Sequence, residues 1–200
     1  MIRLYGEPRS RAFRCIWMLE ELALREGRDF ELIPTRFGGV ETRAPEYLRV
    51  NPNAKVPALV DGDLVLWESL AINHYLAQRH AEPGRGPEPD TPEGRALALR
   101  WSFWAMGEIE GPVDAVARHG AKLADDWAAA PLGVLEGALA ASDSGWLVDE
   151  RFSVADLNVA AMFWRPVLAR YDRAPYTGVC QWLERCNARP AFRRMAERIG

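Results

Sequence analysis

A serine close to the start of the chain could stabilise an anion. Ser10 follows Pro8 and stands where a helical pattern of residues begins. A hydroxyl donor and the amino-terminal end of a helix both favour a negatively charged group, and the thiolate is the reactive form of a thiol. The sequence therefore allows a site that holds a thiolate beside Ser10. The simpler interpretation is that Ser10 only caps the helix, as serine commonly does.

Glu68 and Ser69 are a second pair of residues that suit a ligand. They follow a predicted strand and open a predicted helix. Backbone amides and a hydroxyl at a helix start suit a carboxylate, which the helix dipole also favours, and the Glu68 carboxylate suits an ammonium group. The pair thus fits a ligand end that carries both charges, although a Glu-Ser helix start also occurs without any ligand.

Cysteine and histidine are too few and too scattered to indicate a metal centre. The chain contains three cysteines: Cys15, Cys180 and Cys186. It contains three histidines: His74, His80 and His119. Because no CxxC pair occurs and the cysteine count is odd, we expect neither a disulfide framework nor a zinc site, and no bound metal.

Strand and helix patterns alternate over the first 80 residues. An apolar run at 2–5 predicts a strand, and a helical stripe that ends near Gly27 follows it. The stripe consists of apolar residues at helical spacing: Ala12, Cys15, Ile16, Leu19, Leu22 and Ala23. Cys15 lies on this stripe, so we expect it in the core.

The next segments complete a βαβαββα order. Residues 30–34 predict a strand, 44–50 a short helix and 68–80 a longer helix. Between the last two, Asp61-Gly62 separates two apolar runs, a pattern that favours a hairpin with a two-residue type I′ turn. The predicted class of this part is α/β.

A proline- and glycine-rich segment at 81–91 predicts a domain boundary. Thr91 before Pro92 is a typical helix start, and no strand pattern occurs from there to residue 200. Pro112 should bend or break the first long helix. Ser153 and Asp156 form a predicted capping box. We therefore expect an α/β domain at 1–80, a linker at 81–91 and an all-helical bundle domain at 92–200.

Composition excludes some classes of protein. The chain of 200 residues has a formal net charge of −3 and 48% hydrophobic residues, which is typical of a globular protein. Its calculated pI of about 5.7 argues against nucleic-acid binding. No stretch of 18 apolar residues occurs, so we expect no membrane span. The first residues do not form a signal peptide, and we expect a cytoplasmic protein.

Several motifs, in one order and spacing, resemble those of the glutathione S-transferase family over essentially the whole chain. The motifs are Leu4-Tyr5-Gly6-x-Pro8-x-Ser10, Asn51-Pro52-Asn53-Ala54-Lys55-Val56-Pro57-Ala58-Leu59, Asp61-Gly62-Asp63-Leu64-x-Leu66-x-Glu68-Ser69-x-Ala71-Ile72 and Ser153-x-Ala155-Asp156. The opening resembles the serine-type classes, phi and related bacterial members. The resemblance implies a thioredoxin-like first domain, glutathione as co-substrate and a role in detoxification.

The resemblance also implies roles for individual residues. Ser10 would donate its hydroxyl hydrogen bond to the glutathione sulfur, and Val56, before a cis Pro57, would pair with the cysteinyl backbone. Glu68 and Ser69 would bind the zwitterionic γ-glutamyl end. Lys55 and, by a less direct alignment, Arg43 would bind the glycyl carboxylate.

Tyr5 is a rival to Ser10 for the activating role, and two other classes of the family fit this opening less well. Tyr5 stands where the tyrosine-type classes carry their activating hydroxyl, although in serine-type members this tyrosine is usually structural. The cysteine-type bacterial class has a cysteine at the place of Ser10, and serine cannot form a mixed disulfide. The nu-like bacterial proteins carry Thr and Asn where this chain has Arg9 and Arg11, which counts against a nu-like disulfide reductase.

The expected reaction is attack of the glutathione thiolate on a small hydrophobic electrophile. Side chains at helical spacing could line its site, although they could equally be core: Arg11, Phe13, Trp101, Trp104 and Glu108. A peroxidase or disulfide reductase needs the same thiolate and remains an alternative. So does a non-catalytic ligand-binding or interaction protein, because fold does not fix function. Family members usually form homodimers through their third and fourth helices.

Overall fold

The computed structural model describes residues 1–119, 126–164, 168 and 171–199. The chain divides into two compact units. The first comprises Met1–Pro87 together with Arg189–Gly200, and the second comprises Glu88–Ala188. The boundaries that the sequence suggested, at 80 and 92, stay a prediction.

The first unit is built on a four-stranded mixed sheet in the order β2-β1-β3-β4. The strands are β1 (Ile2–Gly6), β2 (Phe30–Pro34), β3 (Ala58–Asp61) and β4 (Leu64–Trp67). β1 runs parallel to β2 and antiparallel to β3, which pairs with β4 as an antiparallel hairpin. The helices between them are α1 (Phe13–Glu21), α2 (Pro45–Leu48), preceded by the 3-10 turn Val40–Arg43, and α3 (Ser69–His80). The predicted βαβαββα order is confirmed.

Apolar side chains of the sheet and of α1 form the core of this unit. Leu4 and Leu59 are cross-strand partners, and both are fully buried together with Ile16 of α1. α1 packs against α3. Because a strand alternates its faces and a helix repeats every 3.6 residues, these apolar positions meet between the two layers. Cys15 is buried in this core, as predicted.

α1 is shorter at both ends than the sequence suggested. It begins at Phe13, after a turn that contains Ser10, and ends at Glu21. At its end Ala23 adopts a left-handed conformation with φ of 54°. The amides of Ala23 and Leu24 donate to the carbonyls of Glu20 and Leu19, the hydrogen-bond pattern of a Schellman motif. The prediction that Gly27 ends the helix was wrong, because Ala23 takes the position that glycine usually occupies.

The β3–β4 hairpin is confirmed, but its turn differs from the predicted one. Asp61 pairs with Leu64, so the two turn residues are Gly62 and Asp63 instead of Asp61 and Gly62. Of the two, Gly62 has a positive φ, 59°. A type I′ turn needs a positive φ at both positions, whereas type II′ has glycine at the first. The predicted type I′ turn was therefore wrong.

The second unit is helical in the residues that the structure describes. Its helices are α4 (Pro92–Trp104), α5 (Gly111–His119), α6 (Ala129–Ala140), α7 (Val154–Ala160) and α8 (Thr177–Ala188). Thr91 caps α4 by accepting from the amide of Gly94, as predicted. Before Pro112, the break takes the form of a π-helical segment, Ala105–Glu110, because proline has no N–H for the regular ladder.

A capping box anchors α7. Asp156 accepts from the backbone amide of Ser153 at 2.9 Å, as predicted, and also from the indole of Trp182 at 2.9 Å and the amide of Leu147 at 3.0 Å. Burial raises the pKa of Asp156 to about 6, against the lowering effect of these donors. The box thus joins the start of α7 to α8.

The last helix, α9 (Pro190–Glu197), belongs to the first unit and packs on α1. The rings of Trp17 and Phe192 meet edge to face with centroids 4.8 Å apart. The carboxylate of Glu21 accepts from the indole of Trp17 and from two guanidinium nitrogens of Arg189. The end of the described chain also reaches the loop before α1, since Arg9 donates to the carbonyl of Ile199 at 2.9 Å.

Among the described residues, no helix is long and apolar enough to cross a membrane.

Candidate functional site

The register of the sheet brings three site segments to one end of it. Tyr5, near the end of β1, pairs with Ala58, and Ala58 pairs with Trp67 at the end of β4. Gly6 follows Tyr5, Pro57 precedes Ala58 and Glu68 follows Trp67. The backbone therefore gathers the Gly6–Ser10 loop, the Val56-Pro57 bond and the start of α3 at the same edge.

Gly6 is the point where Ser10 and Val56 approach each other. A Cβ atom added to Gly6 would lie 3.6 Å from the Ser10 Oγ, 3.7 Å from the Val56 Cβ and 2.5 Å from the Cβ of Ala12. With a φ of 150° as well, only glycine fits this position. The absence of a side chain at Gly6 lets the Ser10 hydroxyl and the Val56 segment border the same space.

The Ser10 hydroxyl has two hydrogen-bond partners in its own loop. Its Oγ donates to the carbonyl of Glu7 at 2.7 Å and accepts from the amide of Ala12 at 3.2 Å. The helix cap residue is Ala12, so Ser10 does not cap α1. A hydroxyl carries one proton, so Ser10 must turn it away from Glu7 to donate to a ligand. The amide of Ala12 could remain in place during that change.

The Val56-Pro57 peptide bond is cis, as predicted. The residue before it is fixed through its carbonyl, because the Lys55 oxygen accepts from the Tyr47 hydroxyl at 2.5 Å and from the Asn51 amide at 2.7 Å. Asn51 is buried, and its own carbonyl oxygen accepts two hydrogen bonds from Asn53, at 3.0 Å each. Asn51 belongs to one of the motifs of the resemblance, but no function was predicted for Asn51 or for Tyr47.

Tyr5 and Tyr47 form an aromatic contact under this segment. Their ring centroids are 5.8 Å apart in an edge-to-face arrangement, and Tyr47 clusters with Val56 and Ala58. Burial, and secondarily the neighbouring Tyr5, raise the pKa of Tyr47 to about 12. Tyr47 therefore keeps its proton and remains a donor to the Lys55 carbonyl at neutral pH. Tyr5 packs against the cluster from a half-buried position.

Glu68 and Ser69 stand at the start of α3, as predicted, and the backbone there is strained. Glu68 has a φ of 75°, a conformation that costs a residue with a side chain about 1–3 kcal/mol. Its side chain is exposed, whereas Ser69 is buried. Such strain often occurs at ligand sites, where surrounding structure holds one residue in a fixed direction.

Two consecutive residues of α1 contact Ser69. The Arg14 guanidinium donates to the Ser69 hydroxyl at 3.3 Å, and the Cys15 thiol lies 3.6 Å from the Ser69 carbonyl as a donor. The contact between Arg14 and Ser69 was not predicted from the sequence. The two residues lie 55 positions apart, and no local pattern reports such a contact.

The two cations expected at the glycyl end have exposed side chains. Lys55 lies directly before the cis bond, and Arg43 is the last residue of the 3-10 turn Val40–Arg43. An exposed amine or guanidinium can reach a carboxylate without a large desolvation cost. Their predicted role stays a prediction.

The cysteines of the described residues are free thiols. Cys15 is fully buried, and burial raises the pKa of its thiol well above the ordinary range, although the adjacent Arg14 lowers it. A buried neutral thiol is a poor nucleophile. Within the described part of the chain, no group of three or more His, Cys, Asp or Glu side chains is arranged to hold a metal ion.

The residues expected to contact an electrophile are divided between the two units. In the first unit Phe13 is buried and Arg11 is half-buried. In the second, Trp101 is buried and meets Trp104 edge to face at 5.2 Å, while Glu108 is exposed on the π-helical segment. Their common role at an electrophile site stays a prediction.

Comparisons with known proteins agree with this architecture. Family models match residues 1–78, as the glutathione S-transferase N-terminal domain, and 121–190, as its C-terminal domain. Glutathione S-transferase 3 of Zea mays is 32% identical over 99% of this chain and 94% of its own length. The disulfide-bond oxidoreductase YfcG of Escherichia coli is 33% identical over 96% of this chain and 92% of its own length.

A solved structure gives the same result. The glutathione transferase URE2P6 from Phanerochaete chrysosporium, in complex with oxidized glutathione, superposes with a TM-score of 0.83 and 27% identity. The alignment covers 99% of this chain and 96% of that one. The likeness therefore extends over both units.

Proposed function

The chain belongs to the glutathione S-transferase family, and on that premise we propose that it transfers the glutathione thiolate to a small electrophile. The observation that carries the proposal is the convergence of the Ser10 hydroxyl and the Val56-Pro57 segment around Gly6. The proposal assigns the chain to the serine-type members of the family.

The three parts of glutathione match three parts of the site. The γ-glutamyl carboxylate meets the Ser69 hydroxyl and the first amides of α3, and the γ-glutamyl ammonium meets the Glu68 carboxylate. The cysteinyl backbone pairs with the N–H and C=O of Val56 as an added strand. The glycyl carboxylate is bound by Lys55, with Arg43 as a second cation.

Ser10 stabilises the sulfur as an anion in the proposed mechanism. The bound thiol releases its proton to water, and the Ser10 hydroxyl turns from the Glu7 carbonyl to donate to the thiolate. The hydrogen bond that Ser10 accepts from Ala12 at 3.2 Å polarises the hydroxyl and makes it a better donor. The thiolate then attacks an electrophilic carbon and forms a thioether as the leaving group departs.

A pair of variants tests this assignment against Tyr5. Ser10→Ala should raise the pKa of the bound thiol and reduce kcat for an aromatic chloride, while the Kd of glutathione changes little, because the peptide contacts remain. Tyr5→Phe should leave the thiol pKa unchanged. The absorbance of the thiolate, followed against pH in the glutathione complex, measures both. A shift in Tyr5→Phe and none in Ser10→Ala would move the activating role to Tyr5.

Reduction of disulfides is the second candidate. The relative from Escherichia coli is named a disulfide-bond oxidoreductase, and the same thiolate could attack a disulfide sulfur instead of a carbon. Parallel assays with an aromatic chloride, an organic hydroperoxide and a mixed disulfide distinguish these activities. Conjugation should be the fastest if the transferase proposal is correct.

A non-catalytic role is the third candidate. A module without activity would have little reason to keep Ser10, Glu68 and Ser69 together. Calorimetry with glutathione is the simplest test, because a chain that does not bind glutathione would contradict both enzymatic proposals.

We also propose a cytoplasmic homodimer, as the resemblance implies for the third and fourth helices. An apolar patch on α4 supports this: Leu99 and Phe103, one helical turn apart, are 44% and 73% exposed, and an exposed apolar patch often marks an interface. A second copy of the chain would cover it. Phe103→Ser should shift the sedimentation coefficient from dimer towards monomer, and a wild-type chain that sediments as a monomer would contradict the proposal.

A further inference from the structure

A positively charged side chain lies buried beside the proposed carboxylate subsite. Arg14 of α1 has a relative exposure of 0%. A guanidinium away from water is costly unless hydrogen-bond acceptors and negative charge compensate it. Its position in the interior therefore calls for an explanation that an ordinary core residue does not need.

Arg14 is directed at Ser69. Its Nη1 donates to the Ser69 Oγ at 3.3 Å, and Ser69 is the first residue of α3. Because the hydroxyl accepts this bond, its own proton must point elsewhere, away from the guanidinium. The Ser69 hydroxyl can therefore donate this proton to a ligand carboxylate at the start of α3.

The same segment of α1 also fixes the backbone of Ser69. The thiol of Cys15 donates to the Ser69 carbonyl, with the sulfur 3.6 Å from the oxygen. The side chain and the main chain of Ser69 are thus contacted by consecutive residues of one helix. Ser69 itself is only 5% exposed, so it has little freedom to rearrange when a ligand binds.

We propose that Arg14 is a positioning residue for the γ-glutamyl carboxylate of glutathione. It orients the Ser69 hydroxyl towards the carboxylate and adds a positive charge to that of the helix start. The inference rests on the proposed function, because it concerns the same ligand. It assigns to Arg14 an effect on glutathione affinity and on KM, and none on the reaction of the bound sulfur, which lies at Ser10.

The test compares glutathione with an analogue that lacks only the α-carboxylate, γ-aminobutyryl-cysteinyl-glycine. In the wild-type protein, calorimetry should show clearly tighter binding of glutathione. In Arg14→Met, the affinity for glutathione should fall roughly 10- to 100-fold, because the α-carboxylate loses both the oriented Ser69 hydroxyl and a nearby positive charge, while the affinity for the analogue stays the same. Arg14→Lys should restore part of the loss.

A matched control removes an arginine charge outside the site segments. Arg28 is exposed and pairs with the Asp29 carboxylate at 2.7 Å, so Arg28→Met should change glutathione affinity less than about twofold. Steady-state kinetics should show a raised KM and a nearly unchanged kcat in Arg14→Met.

Each outcome decides one question. An equal loss of affinity for both ligands in Arg14→Met would mean a structural role and would overturn the inference. If Arg14→Met does not fold, the same comparison in Arg14→Lys decides it, since a weaker but selective loss for glutathione is then expected. Failure of the wild-type protein to bind glutathione, with the chain folded, would overturn the proposed function and the inference with it.

Discussion

The carbonyl of Lys55 offers a quantitative test of how the segment before the cis Val56-Pro57 bond is held. It accepts from the Tyr47 hydroxyl at 2.5 Å and from the Asn51 amide at 2.7 Å. Tyr47→Phe removes the first donor without a change of shape, and Asn51→Ala removes the second. The two single variants and the double variant form a thermodynamic cycle.

The expected magnitudes follow from the number of partners that remain. Tyr47→Phe leaves the carbonyl with one donor and should lower the free energy of unfolding by about 1 kcal/mol. Asn51→Ala should cost about 2 kcal/mol, because the bonds from Asn53 are lost as well. In the double variant, the Lys55 carbonyl loses both donors and faces the apolar side chains that replace Tyr47 and Asn51. The combined effect should therefore exceed the sum of the single effects by about 1 kcal/mol.

Two measurements on each variant check the reasoning. Urea denaturation gives the free energy of unfolding, and calorimetry gives the Kd of glutathione. The Kd should be highest in the double variant, because Lys55 directly precedes the cis bond. Tyr75→Phe is the matched control. Its hydroxyl donates to Asp61 at 2.8 Å, at the turn end of β3, so it should leave the Kd unchanged.

Two results would refute this account. Additive effects on stability would mean that water replaces the lost donors and that the carbonyl is not held by these side chains. A double variant that binds glutathione as well as the wild-type protein would mean that the segment before the cis bond does not contribute to the ligand site.

Three further predictions concern other parts of the chain. Phe192→Ala should lower the free energy of unfolding by about 3–5 kcal/mol, because the Phe192 ring is buried. Phe37 has a ring that is 58% exposed, so Phe37→Ala should change this free energy by less than about 0.5 kcal/mol. Urea denaturation measures both effects. Glu68→Gly and Glu68→Ala should both weaken glutathione binding, but the glycine variant should be more stable by about 1 kcal/mol, since φ is 75°; equal stability would contradict this. An aromatic disulfide reagent should label Cys180 well before Cys15, whose pKa is raised by burial; rapid labelling of Cys15 would show that its burial is not maintained.

Local signals in the sequence predicted the elements that depend on a few neighbouring residues. Thr91 caps α4 and the Ser153–Asp156 box caps α7, because each cap joins residues within one helical turn. The β3–β4 hairpin was predicted for the same reason. Its turn type was not, because the register of the pairing decides which residues occupy the turn.

Contacts between distant residues were beyond the sequence pattern. The position of Ser10, ahead of α1 instead of at its cap, depends on the approach of β1 at Gly6. The contact of Arg14 with Ser69 joins two helices. The packing of Phe192 on Trp17 also joins distant parts of the chain, and an apolar helix face does not specify the surface that covers it.

A crystal structure with glutathione bound tests the central claim most directly. We expect the cysteinyl sulfur within hydrogen-bond distance of the Ser10 Oγ, about 3 Å or slightly more for a sulfur acceptor, with the hydroxyl turned from the Glu7 carbonyl. A sulfur bound beside Tyr5, or a hydroxyl that still donates to Glu7 while the sulfur lies elsewhere, would contradict the proposed mechanism.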